Sequence, residues 1–284
     1  MKYNCALVLE GGGMRCAYTN GILDYFIEED IDFNYVVSVS AGVASALNFV
    51  SKDEGRALAL TRDYAGDKRV ASVRNMFTKG CFFDLNMIFN VLDKEVPFNY
   101  EAFKDSTTQM ECGCFNLETG DVDYFNKDYL ISDKSNKAII ASNSLPLLSK
   151  VVTIGPHHYL DGGMRDSIPL NRAIEQGYEK QVVILTNPST YVREKESSLP
   201  LLKTFYHKYP TLIKAMENRH IVYNDMVERI NTLEKEGKIF VLRPSVKLNV
   251  TRYSSDAATL NEAYDTGRKD AIALKDKLLA YLKE

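Results

Sequence analysis

The stretch Tyr3-Asn4-Cys5-Ala6-Leu7-Val8-Leu9-Glu10-Gly11-Gly12-Gly13-Met14-Arg15 sets the architecture. Its first half is almost wholly apolar and reads as a buried strand, and the three glycines end that strand in a tight turn. Residues 14–29 follow as a helix, with Ala17, Ile22, Tyr25 and Phe26 roughly on one face. The unit then repeats. Residues 33–37 read as a second buried strand, Ser38-Val39-Ser40-Ala41-Gly42 as a second turn, and residues 41–50 as a second helix. Strand, turn and helix twice over imply parallel strands joined by right-handed crossovers. The fold class is therefore α/β, with a mainly parallel central sheet.

Working outward, residues 54–64 read as helix and residues 70–83 as a long aromatic loop holding Met76, Phe77, Phe82 and Phe83. Residues 109–115 and 122–125, around Glu118-Thr119-Gly120-Asp121, read as a hairpin. A helix at 134–141 and a strand at 150–154 precede a short strand at 157–160 that ends in Asp161-Gly162-Gly163. A helix at 170–176 and a buried strand at 181–186 close the alternation near Pro188. Ser197-Ser198-Leu199-Pro200 reads as a linker. Beyond it come helix over 201–235, bent at Pro210, a strand at 239–242 and a terminal helix at 257–282. The expected division is a main domain, 1–195, and a mainly helical extension, 196–284, whose one strand is free to join the main sheet.

Composition narrows the function classes. The 284 residues are 45% hydrophobic and 26% charged, a globular balance that excludes wholesale disorder, collagen and coiled coil. The net charge of −3 argues against nucleic acid as the main ligand, because phosphate backbones demand a Lys/Arg excess. The longest apolar runs, 5–9 and 278–282, fall far short of the ~20 residues of a membrane span. Met1-Lys2-Tyr3-Asn4 leads quickly to Glu10, with no signal-peptide pattern, so a cytoplasmic location is expected. The scattered Cys5, Cys16, Cys81, Cys112 and Cys114 form no CxxC pair, so reduced thiols are expected and no metal.

Three constellations carry chemistry. Ser40 stands between a strand and a helix with small neighbours, where a nucleophilic hydroxyl is presented and a helix N-terminus favours a developing anion. The same residues also suit a Ser-rich helix cap. In Gly11-Gly12-Gly13 consecutive amides can point at one spot and hold a phosphate or an oxyanion, or simply form a turn. A dinucleotide fingerprint is broken by Cys16, and the Gly-Lys-Ser/Thr of a P-loop is absent. Asp161-Gly162-Gly163 can expose a carboxylate on a tight turn at a strand end, or be a surface turn.

Taken together, these stretches resemble the patatin-like phospholipases over roughly residues 4–190. The matching segments are Leu7-Val8-Leu9-Glu10-Gly11-Gly12-Gly13-Met14-Arg15, Ser40-Ala41-Gly42, Ala141-Ser142-Asn143-Ser144-Leu145-Pro146 and Leu160-Asp161-Gly162-Gly163. Asp166-Ser167-Ile168-Pro169 and Arg243-Pro244-Ser245 resemble the bacterial branch with a C-terminal helical extension. The resemblance implies a three-layer fold and a Ser–Asp dyad, Ser40 as nucleophile and Asp161 as base. It also implies an oxyanion hole from the amides of Gly11, Gly12, Gly13 and Met14. It implies a cofactor-free acyl hydrolase acting on a phospholipid or lysophospholipid ester. The alternatives are an acyl-binding protein with little turnover, and a thioesterase or acyltransferase. Two positions depart from the family: Ser38 and Cys16 stand where glycine is usual.

Other residues remain open. Arg15 suits either an anionic head group or a structural ion pair. Phe77 and Phe82, with Met76 and Phe83, suit either an acyl channel or plain packing. His157 and His158 alternate on one strand, and neither they nor His207 and His220 are expected to act in catalysis. Leu199, Leu202, Phe205, Tyr209, Leu212 and Met216 form a helical stripe that suits either transient contact with a membrane surface or packing on the main domain, and packing is the expectation.

Overall fold

The first two strands, β1 (Lys2–Leu9) and β2 (Asp32–Val39), run parallel, joined by helix α1 (Cys16–Glu28). The structure, a computed structural model, describes residues 1–283, and the side chains of all of these but Asp93. Helix α2 (Ala41–Val50) leaves β2 directly, and α3 (Arg56–Asp63), α4 (Val73–Lys79) and α5 (Tyr100–Asp105) follow. Strands β3 (Gln109–Asn116) and β4 (Val122–Asn126) make the expected hairpin, followed by α6 (Lys127–Ser132) and α7 (Lys137–Ser142). Then come β5 (Val152–Ile154), β6 (His157–Asp161), α8 (Leu170–Glu175) and β7 (Gln181–Ile184). The C-terminal part holds α9 (Leu199–Phe205), α10 (Pro210–Lys235), β8 (Ile239–Leu242) and α11 (Ala257–Lys283).

Hydrogen-bonded neighbours give the sheet order β5-β6-β3-β2-β1-β7-β8, with β4 on β3 off that path. The pairs from β3 through β8 are parallel, while β4 and β6 meet β3 antiparallel. Both faces are covered, as a parallel sheet requires. Along β1, Cys5, Leu7 and Leu9 face the layer of α1, α2 and α11, and Ala6 and Val8 face α8 and α10. Three layers result, helix–sheet–helix. β8 extends the sheet beyond β7, and Leu242, Ala271, Leu278 and Leu282 share a core with Leu7, Val182 and Ile184.

Helix α11 crosses α1 at two glycines. A Cβ on Gly21 would stand 2.1 Å from the carbonyl oxygen of Tyr264, and one on Gly267 2.1 Å from that of Tyr18. Only bare backbone permits this approach. Tyr18 donates a 2.9 Å hydrogen bond to Asp270 beside the crossing.

Two expectations are corrected. The segment 70–83 is not all loop, because α4 forms within it. Ser72 accepts from the Asn75 amide at its start and Gly80, at φ 71°, closes its end, so the cap signals outweigh the mixed composition. Pro210 does not bend a helix. It opens α10, where its missing N–H and fixed φ are tolerated. The apolar stripe packs as expected, with Leu202, Leu212 and Met216 against Phe115, Leu117 and Leu160, while Phe205 stays exposed.

The arrangement around β3 creates the site. β4 runs along one edge of β3, pairing with residues 111–115. β2 and β6 divide the other edge. Val39 lies opposite Gly113, and Asp161 lies opposite the next residue, Cys114. β2 and β6 run toward each other, so their C-terminal ends meet, and the residues that follow are thrown together.

Candidate active site

Ser40 is the first residue beyond β2, and its backbone is turned sharply, with φ 56° and ψ −141°. That region is strained for any residue with a side chain. Here the strain aims the hydroxyl away from the strand and off the start of α2. The Ser40 amide donates to Ser142 Oγ at 3.0 Å, and Ser142 Oγ donates to the Gly113 carbonyl at 2.6 Å, which pins the turn to β3. A Cβ on Gly11 would stand 2.8 Å from Cβ of Ser40, so the glycine turn after β1 lies directly against the elbow.

The Ser40 hydroxyl donates to Asp161 Oδ2 at 2.6 Å. The other carboxylate oxygen, Oδ1, accepts from the Gly163 amide at 2.7 Å, so both oxygens are oriented. Asp161 is only 1% exposed. Burial pushes its carboxyl above the ordinary carboxylate range. The Ser40 hydrogen bond, the nearby Arg219, the Gly163 amide and Arg252 pull the other way.

The four amides named from sequence do not share one fate. The Gly11 amide donates to the Ser167 carbonyl at 3.1 Å, and the Met14 amide to the Arg252 carbonyl at 3.2 Å. The Gly12 and Gly13 amides have no acceptor among the described residues. Gly13 has φ 58°, and a Cβ there would stand 2.6 Å from the Arg252 carbonyl oxygen.

The two departures from glycine sit in ordinary backbone. Ser38 is an extended residue within β2, paired with Leu9 and Cys112. Cys16 opens α1 with φ −63°, and its buried thiol, pushed up to about 12 chiefly by desolvation, points at the Glu10 carbonyl. Neither position uses a conformation that needs glycine. The Ser38 hydroxyl is buried and meets no partner among the described residues. Ser38→Ala therefore stabilises the protein by about 1 kcal/mol, since it deletes an unsatisfied buried hydroxyl. Chemical denaturation of the two proteins checks this, and a lower midpoint for the alanine variant would refute it.

The remaining candidates scatter. Arg15 donates to Asn187 Oδ1 at 2.9 Å and lies 6.0 Å from the centroid of the Tyr191 ring, with Nε and one terminal nitrogen unpaired. Phe77 is 87% exposed on α4, neither packed nor lining the Ser40 turn. Phe82 packs edge-on against Phe83, which stacks on Tyr253 next to Arg252. His158 bonds Glu118 at 2.7 Å, His157 stands 3.8 Å from the same carboxylate, and His207 faces Thr204. No group of three or more His, Cys, Asp and Glu among the described residues is placed to hold a metal ion. No helix among them is long and apolar enough to cross a membrane.

Sequence reasoning missed the residues around the pair. Ser142 lies in a quoted segment, yet nothing local marks it as the brace of the elbow. Arg193, Arg219 and Arg252 come from three separate segments of the C-terminal third and line one cavity, and Arg219 and Arg252 act on Asp161. A single arginine on a polar helix face carries no signal of that convergence.

Comparison with known proteins adds to this geometry. A family model described as patatin-like phospholipase matches residues 7–174. A model described as a domain of unknown function (DUF6363) matches residues 209–283. The uncharacterized protein YjjU of Escherichia coli (strain K12) is 25% identical over 272 residues, which cover 93% of this chain and 74% of that protein. Among solved structures, VipD from Legionella pneumophila aligns with 97% of this chain and 67% of its own, at 12% identity and a TM-score of 0.47.

Proposed function

Because the chain belongs to the patatin-like phospholipase family, we propose that it is a serine acyl hydrolase that cleaves lipid carboxylic esters through an acyl-enzyme on Ser40. The observation that carries this reading is the 2.6 Å hydrogen bond from the Ser40 hydroxyl to a buried, doubly oriented Asp161 carboxylate. Serine is a weak nucleophile until a base takes its proton. In this reading Asp161 takes it directly, and Ser40 Oγ bonds to the ester carbonyl carbon. The carbonyl oxygen becomes an oxyanion held by the Gly12 and Gly13 amides, with the α2 N-terminus adding a favourable field. Collapse breaks the ester C–O bond, and the leaving alcohol receives the proton from Asp161. Water then attacks the acyl-Ser40 ester, Asp161 accepting its proton and returning it to Ser40 as the fatty acid leaves.

The proposed division of labour follows 1–195 and 196–284, the first part carrying the dyad and the second shaping its surroundings. A lipid surface would be met transiently through α4, where Val73, Met76 and Phe77 are exposed at helical spacing. One observation favours the reading of an acyl-binding protein with little turnover: the Arg252 carbonyl occupies the Met14 amide.

A fluorophosphonate separates these readings. It bonds only to an activated serine, so intact mass is expected to show one adduct on the wild type and none on Ser40→Ala. An unmodified wild-type protein, folded by circular dichroism, would count against the hydrolase and for the binding protein.

A further inference from the structure

A cavity of about 300 Å³ is lined by Arg193, Arg219 and Arg252 together with Tyr191, Glu194 and Glu196. Arg219 brings it near the dyad. The point where a Cβ on Gly163 would stand is 3.1 Å from Asp161 Oδ1 and 3.7 Å from a terminal nitrogen of Arg219. Arg252 links the cavity to the glycine turn, because its carbonyl accepts from Met14 while its side chain lines the cavity.

Asp161 faces Arg219 and Glu10 faces Arg193 from outside the cavity, and Glu194 and Glu196 are the carboxylates of its lining. Arg219 is held by a 2.8 Å hydrogen bond from Nε to the Gly163 carbonyl and stands 3.9 Å from Glu196. Burial, with Arg193 and Arg252 close by, pushes its guanidinium down to about 9. Glu196 is already engaged by the Ser198 amide and hydroxyl, and Glu194 is exposed. Arg193 is 7% exposed, sits 4.0 Å from the centroid of the Tyr223 ring, and has an Nε–H with no acceptor among the described residues. A cavity wall shared by three arginines, with Glu194 and Glu196 as the carboxylates of its lining, suits an anion. Three arginine forks suit the several oxygens of a phosphate better than the two of a carboxylate, and the charged lining does not suit an acyl chain.

We propose that this cavity binds a phosphate anion, with Arg193 and Arg252 as its donors and Arg219 fixing the wall beside Asp161. As the recognition site for a substrate head group it rests on the acyl-hydrolase reading above. As a site for free phosphate it does not.

The test uses the full chain and two variants, Arg193→Gln and Arg252→Gln, each checked for fold by near-ultraviolet circular dichroism. Arg252 is half-buried and bonds through its backbone, so its variant carries the test if Arg193→Gln fails to fold. Calorimetric titration with inorganic phosphate is expected to show binding to the wild type, weakened about ten-fold or more in a folded variant, the effect of losing one charged hydrogen bond. In parallel, kcat/KM is measured for a lysophosphatidic acid and for the monoacylglycerol of the same chain. A ten-fold or greater fall in the ratio of the two, mainly through KM, assigns the phosphate to the lipid head group. Weakened phosphate binding with an unchanged ratio supports the site and assigns it to free phosphate. Phosphate binding that is absent, or equal in wild type and variants, together with an unchanged ratio, overturns the proposal. If the wild type cleaves neither ester, the hydrolase reading fails, and the phosphate titration still decides the cavity.

Discussion

Ser40→Ala and Ser40→Gly are both expected to lose the proposed ester hydrolysis, by up to about 10⁶-fold in kcat, the scale of removing a nucleophile that works as a unit with its base. The same pair of variants separates in stability. Each removes the hydroxyl that donates to Asp161, so that loss cancels between them. What differs is the backbone, because position 40 sits at φ 56° and ψ −141°, a region almost reserved for glycine. Alanine keeps a strain of about 1–3 kcal/mol that glycine relieves. Glycine gives back about 0.4–1 kcal/mol through the greater freedom of its unfolded chain. Ser40→Gly is therefore expected to be more stable than Ser40→Ala, by up to about 2.5 kcal/mol, read by calorimetry. A glycine variant that melts below the alanine variant would show that the elbow stores no strain, and its aim would need another explanation.

Asp161→Asn is expected to lose activity by at least about 10²–10⁴-fold, the range for removing a general base. Its folded state is expected to melt no lower than the wild type at neutral pH. Asparagine still accepts from the Gly163 amide and can donate to Ser40, so the local bonds survive. The charge does not, and that works in favour of folding. A carboxyl whose native pKa lies above its unfolded value stabilises the fold below the unfolded value and loses that contribution as pH rises through the native one. Burial raises Asp161 in this way, so at neutral pH its ionised form weighs against folding. The melting gap between the Asp161→Asn variant and the wild type should shrink as pH falls. In the proposed mechanism activity follows the same group with the opposite preference. The base must be ionised, so kcat/KM of the wild type should fall on the acid side at a pH above the ordinary carboxylate range. An acid limb within that range, or an asparagine variant that melts far below wild type at pH 7, would contradict the assignment.

Much of the fold is legible because it is local. Apolar runs followed by glycine or serine turns mark β1 and β2, and their alternation with helices makes the sheet parallel. What is not legible is the edge of β3. No pattern in residues 157–161 announces that this strand enters antiparallel at the point where β2 stops. That entry is why Ser40 and Asp161 meet although 121 positions separate them. The motif therefore names the two residues, and the topology supplies their hydrogen bond. The engagement of the Gly11 and Met14 amides is hidden for the same reason, since their acceptors, Ser167 and Arg252, lie far along the chain. Helix α4 is a smaller case, in which two caps decide a segment whose aromatic content dominates inspection.

The glycine crossing of α1 and α11 sets the order of events during synthesis. Helix α1 is made well before its partner, which spans residues 257–283, and its Tyr18 hydroxyl waits for Asp270. Until α11 has cleared the ribosome, α1 exposes the bare backbone around Gly21. The turn of Gly11–Gly13 meanwhile has no Arg252 carbonyl to rest on. A nascent chain long enough to contain both Ser40 and Asp161 thus lacks a finished site.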